Sequence, residues 1–149
     1  MQYNQPCPPG QRWELTQELT VSICNCDVLF EVIIHLADSE TNAALRARKL
    51  AVEPGGAIMG YDQDAWAVAL NYHDQNTDDA LHVIRLARLT TYNWLKTLPD
   101  EVFAHTVKHP EYDAPYTFEK WINIYSAHIP GHIEQIQNNY ALWKRASAK

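Results

Sequence analysis

Apolar residues recur along this chain at helical intervals, and nowhere do they alternate in the clean two-residue rhythm of a strand. The clearest helix is expected from about Cys26 to Leu50. Val28, Val32, His35, Ser39, Asn42 and Arg46 share one of its faces, and Glu53-Pro54-Gly55-Gly56 is a strong stop. Asp62 or Asp64 is placed to cap a short helix through Trp66 and Leu70. Thr77-Asp78-Asp79 opens the next long helix with a cap and two acidic residues. Its core stripe reads Leu81, Ile84, Arg88, Thr91, Leu95 and Leu98, and Pro99 ends it. Residues 99–116 read as a long loop with a short helix at Glu101–His105. Thr117 caps a last helix that runs to about Arg145. Residues 1–12, rich in Pro and Gln, read as irregular, a helix could begin near Trp13, and Val21–Cys26 is ambiguous between helix and strand. The pattern predicts an all-α helical bundle, built as one domain over residues 1–149.

The last helix carries polar groups where its apolar ones point. Its stripe is Trp121, Ile124, Tyr125, His128, His132, Gln135, Ile136, Asn139 and Trp143. Two histidines one turn apart project from the same face, about 6 Å apart at Cβ, a spacing that lets two imidazoles grip one ion. A catalytic metal site usually takes three protein ligands, and His35 is the only histidine in the most apolar stretch of the chain. The other four, His73, His82, His105 and His109, have polar or turn-forming neighbours and read as surface residues. A histidine on a core face is also an ordinary hydrogen-bonded core residue, so spacing alone leaves both readings open.

Composition narrows the function. The chain has 149 residues, 46% hydrophobic and 20% charged, with a net charge of −6. That acidity, without a Lys/Arg cluster, argues against nucleic acid as a partner, because phosphate neutralisation dominates such affinity. The Val28–Ala37 run is too short to span a bilayer and contains Glu31 and His35. The first residues lack the layout of a signal peptide, so a cytoplasmic protein is expected. Three cysteines, Cys7, Cys24 and Cys26, suit reduced thiols better than a disulfide framework.

His35-Leu-Ala-Asp-Ser-Glu40, Tyr61-Asp-Gln-Asp-Ala-Trp66, His109-Pro-Glu111, and then His128 and His132 with Gln135-Ile136, in that order, resemble the DinB/YfiT-like family over residues 28–144. The resemblance implies a four-helix bundle, often dimeric, that holds a divalent metal on three histidines. Their positions map to His35, His128 and His132. It also implies a metal-dependent hydrolase or a transferase using a low-molecular-weight thiol, and many family members have no known substrate. This chain departs from the pattern in two places. Only 34 residues precede His35, so the first helix is expected to be short or irregular, or contributed by another chain, and a homodimer is expected. Pro130-Gly131 falls between the two paired histidines, where a proline frees the Ser126 carbonyl and should kink the helix.

Three imidazoles suit Zn, Ni, Fe or Co rather than Mg or Ca. An open position on such an ion could activate water or bind a thiolate. Nothing in the ligand set chooses between hydrolysis and thiol transfer, and a non-catalytic metal-binding or ligand-sensing bundle is the alternative. Asp38 is a candidate base or ligand orienter, or else a surface residue paired with Arg46 or Arg48. Gln135, one turn beyond His132, is placed to orient a water or a ligand. Arg88 is expected to pair with an acidic group such as Asp38 or Asp64, or to hold an anionic substrate. Tyr61 and Trp66 could line the pocket.

Overall fold

The computed structural model describes residues 25–147, with side chains from 29 to 145. The readings for residues 1–24, including the first helix, Cys7 and Cys24, lie outside the described residues.

Among the described residues, four α-helices form a four-helix bundle: α1 (Asn25–Val52), α2 (Gln63–Ala69), α3 (Thr77–Leu95) and α4 (Phe118–Ser147). α1 is the central element, and both α3 and α4 pack along it. Its alanines explain how. Ala43, Ala47 and Ala51 recur every fourth residue, so one strip of α1 is nearly flat and its neighbours can approach closely. Trp121 of α4 lies over this strip and donates its indole N–H to the Ala43 carbonyl at 3.0 Å. Ala43, Ala47, Leu50 and Ala51 are buried with Ile58, Val107, Tyr116, Phe118, Trp121 and Tyr125, and with Leu95 and Leu98 packed alongside. A second cluster joins Ile34 and Ala37 to Tyr72 and Ala80, with Trp66 and Ile84 packed against it. The early part of α1 thus meets the early part of α3, and the two run in the same direction. α4 runs the opposite way, since its Trp121 meets Ala43 while its His128 meets His35.

The helix ends follow local chemistry. Asp62 caps α2 by accepting from the Ala65 N–H at 2.9 Å. Thr117 caps α4 through the Lys120 N–H, as the sequence suggests. The α3 cap is Asn76, not Thr77. Its carboxamide oxygen accepts from the N–H groups of both Asp78 and Asp79, and Thr77 becomes the first helical residue. α3 also ends at Leu95, before Pro99, which precedes a 3-10 turn at Asp100–Ala104. On its stripe Thr91 is buried, but Leu81 is half exposed and is not a core residue.

The expected loop after residue 99 contains a small ribbon. β1 (Thr106–Val107) pairs antiparallel with β2 (Tyr116–Thr117), with Val107 opposite Tyr116. The segment after α1 is sewn to it. Gly55, at φ +79, donates to the Thr106 carbonyl at 2.7 Å, and Ala57 bridges to Lys108. A residue with a Cβ would be strained at that left-handed turn. His105 Nδ1 lies 3.2 and 3.1 Å from the carbonyls of Leu50 and Ala51, so its N–H satisfies the end of α1.

Pro130 does not interrupt α4, which is continuous from Phe118 to Ser147. The ring is exposed, and the histidines flanking it stay one turn apart. Among the described residues no helix is long and apolar enough to cross a membrane.

Candidate metal centre

Antiparallel packing of α4 on α1 brings together three imidazoles. His128 Nε2 lies 3.4 Å from His35 Nε2 and 3.2 Å from His132 Nε2. One nitrogen from each ring lies within 4.8 Å of the other two. Two nitrogens bound at ~2.05 Å in a tetrahedral arrangement would be about 3.3 Å apart, so these separations fit a shared ion. All three rings are half-buried.

The opposite edges of two rings are also held. His132 Nδ1 is 2.7 Å from Gln135 Oε1, and His128 Nδ1 is 3.4 Å from Ser39 Oγ. If Nδ1–H donates to each oxygen, the Nε2 lone pair is free to face the shared point. Metal-bound histidines typically have such a second partner, which fixes the tautomer and the ring plane. His35 and His128 are both held down at about 4: His35 by burial and then by His132 and His128, and His128 by burial and then by His132 and the Arg88 charge. Both are therefore neutral at physiological pH, the protonation state a ligand needs.

The same shift predicts acid sensitivity. Both groups bind protons less readily in the folded protein than an exposed histidine with its pKa of 6.5. As pH falls, the unfolded chain takes up protons that the folded state does not. The stability these groups provide is present above pH 6.5 and is lost progressively as pH falls toward about 4. Urea midpoints of the metal-free protein should be lower near pH 4.5 than near pH 7, and His35→Gln should reduce that difference.

The other sequence candidates fall around this centre. Asp38 accepts a short hydrogen bond from the hydroxyl of Tyr72, a buried residue in the 3-10 turn Tyr72–Asp74. Gln135 is exposed and touches His132. Arg88 pairs with Glu40 at 2.8 Å, not with Asp38 or Asp64, and also donates to the Tyr125 carbonyl. Tyr61 and Trp66 pack with ring centroids 4.5 Å apart and planes tilted by 44°, both half-buried. His73 and His82 are exposed as expected, but His105 is half-buried and His109 is buried against Tyr112 and Tyr116. The sequence assigns no role to Ser39 and places Arg46 only as an ion-pair partner of Asp38, although both lie on the α1 face that it places with His35; Asp38 is instead bonded to Tyr72. Arg46 donates to the Tyr125 hydroxyl at 2.9 Å and to the Met59 carbonyl at 2.8 Å, which ties α1, α4 and the intervening loop together.

A groove of about 550 Å³ lies beside the Glu40–Arg88 pair, walled by Ala43, Thr91, Leu95 and Trp121; none of the three histidines lines it.

Comparison with known proteins places this geometry in context. The chain is 31% identical over 109 residues to "Putative metal-dependent hydrolase YfiT" of Bacillus subtilis (strain 168), an overlap that covers 71% of this chain and 60% of that protein. A protein of the same description from Oceanobacillus iheyensis is 31% identical over 106 residues, with the same coverage. The chain thus spans about three fifths of the length of these curated relatives. The solved structure of Bacillus subtilis YfiT, described as "a probable metal-dependent hydrolase with an unusual four-helix bundle topology", superposes with a TM-score of 0.68 at 28% identity, covering 73% of this chain and 62% of that one. With its helical bundle, its convergent histidines and a family-model match over residues 29–136, the chain belongs to the DinB superfamily.

Proposed function

We propose that this protein is a metal-dependent hydrolase of a small molecule. His35, His128 and His132 would hold one divalent ion, with Zn, Ni or Fe the best matches to three neutral imidazoles. The observation that supports this most strongly is the convergence of three Nε2 atoms at ligand-to-ligand spacing. No fourth histidine, cysteine or carboxylate joins them among the described residues, which leaves a coordination position for water or substrate. A divalent ion in such a site lowers the pKa of bound water from ~16 toward ~7 and polarises a substrate oxygen.

The protein's own groups supply orientation. Gln135 and Ser39 hold the rings of His132 and His128. Asp38, kept in place by the Tyr72 hydroxyl, is the carboxylate on α1 that we assign as candidate proton acceptor. The names of the relatives favour hydrolysis over thiol transfer. Self-association as a homodimer belongs to the same reading, supported by the exposed Leu89 and Tyr92 on α3 and Ile122 and Ile133 on α4.

The test is metal analysis of tag-free protein, followed by activity on a panel of esters, amides and thiol-dependent substrates. Activity should vanish with chelator and return with Zn or Ni. Equal turnover by metal-stripped protein would sink the reading. Stoichiometric metal without turnover would favour a metal-binding or sensing bundle, and activity that requires an added thiol would reassign the protein as a transferase.

A further inference from the structure

We propose that Tyr125 is a positioning residue for the metal centre, clamped by two arginines from different helices so that the turn of α4 carrying His128 stays fixed. The inference rests on the metal reading above and extends it to the residues that set the ligand geometry.

The need for a clamp starts with Pro130. It has no N–H to give the Ser126 carbonyl, so the turn that contains His128 lacks one of its helical hydrogen bonds. Tyr125 lies immediately before that turn and is only 6% exposed. It is held at both ends. Arg46 of α1 donates to its hydroxyl at 2.9 Å, and Arg88 of α3 donates to its carbonyl. Each arginine is anchored in turn, Arg46 to the Met59 carbonyl and Arg88 to the Glu40 carboxylate, both at 2.8 Å.

The clamp reaches the ligands through a column of rings. Trp121, Tyr125, His128 and His132 follow one another on the inner face of α4, with successive centroids 5.4, 6.2 and 4.7 Å apart. Trp121 at the foot of the column is pinned to the Ala43 carbonyl. Tyr125 meets His128 edge-on, at 80° between planes, and Ser39 Oγ stands 3.4 Å from His128 Nδ1. The His128 ring is thus bounded by a fixed phenol ring on the side of the preceding turn and by a hydroxyl at Nδ1. Groups that fix the plane of a ligand imidazole in this way strengthen metal binding, because Nε2 then faces the shared point before the ion arrives.

Co(II) binding to tag-free protein, followed in the visible spectrum, tests the clamp. Arg46→Met keeps an unbranched stem and removes both hydrogen bonds. It should lower Co(II) affinity about tenfold, the low end for groups that orient a metal ligand, and alter the ligand-field bands. Arg46→Lys keeps one donor and should recover part of that loss. Tyr125→Phe removes only the hydroxyl. It should give a smaller loss of the same kind, and it carries the test if Arg46→Met fails to fold. Pro130→Ala restores the missing helical hydrogen bond. Nearly silent alone, it should relieve the loss when combined with either variant, which a double-mutant cycle reads directly. Thermal unfolding of the metal-free variants shows which of them keep the fold. Unchanged Co(II) affinity and spectrum in folded variants, or a loss that Pro130→Ala does not relieve, would overturn the clamp and leave the metal site standing. Failure of the unaltered protein to take up Co(II) would overturn both.

Discussion

His128→Ala should lower divalent-metal affinity by about 100- to 1,000-fold. The size follows from apportioning the ~10–16 kcal/mol of a four-ligand zinc site among its ligands, about 2.5–4 kcal/mol each. His128 is the member to choose, because its Nε2 lies within 3.4 Å of a nitrogen of each of the other two rings. Its removal leaves one nitrogen on each of two helices. Isothermal titration with Zn or Ni on tag-free protein measures the effect. Thermal unfolding of the metal-free variant shows whether the fold survives, and a half-buried ring flanked by an exposed proline should be dispensable to it. A loss under tenfold would mean that the ion, if bound, sits elsewhere.

The second large effect concerns stability. Glu40 is almost completely buried on α1, its side chain 4% exposed, and its ion-pair partner is Arg88 on α3. Arg88→Ala would leave that carboxylate buried and unpaired, and would remove a donor to the Tyr125 carbonyl. Breaking a buried pair in this way costs about 3–5 kcal/mol. The Arg88 side chain is 38% exposed, so solvent screening lowers the expected loss to about 2–4 kcal/mol, still a large fraction of a domain's stability. Replacing both charges, as Glu40→Leu with Arg88→Met, should restore most of it, because neither desolvated charge remains. Urea unfolding of the two variants and of the unaltered protein decides the matter. A single-mutant loss below about 1 kcal/mol would show that water reaches Glu40 freely.

The Glu40–Arg88 pair also shows where reading from sequence stops. The periodicity of α1 and α3 shows that His35 and Arg88 face inward, and the turn signals after Leu50 and before Phe118 set the helix ends closely. Periodicity cannot say which acidic residue Arg88 meets. That depends on how far α3 slides along α1, and a partner 48 positions away is fixed only by packing. The ribbon at Thr106–Val107 and Tyr116–Thr117 was hidden for a different reason. Two-residue strands are too short to show a period, and their pairing depends on the loop that follows α1. His109 looked like a surface residue because it sits beside Pro110, and its burial comes from Tyr112 and Tyr116 folding over it. The three convergent histidines were legible partly because each lies on a regular helix whose inward face could be counted, while the metal reading came from the family resemblance, since periodicity alone left an ordinary core histidine equally open. Ser39 was counted onto the same face, yet its contact with His128 depends on rotamer and on helix register, which a sequence does not state.

The spacing of the histidines along the chain has a consequence for folding order. His35 and His128 are 93 positions apart, on the first and last helices described. Their nitrogens cannot converge until α4 has docked on α1, which closes one of the longest loops in the chain and is among the slower contacts to form. An ion captured there would arrive after the helices meet. It would act as a clasp on the finished bundle, slowing the parting of α1 and α4 far more than it hastens their meeting. Loss of the ion would then be felt first as a shorter lifetime of the closed helix pair.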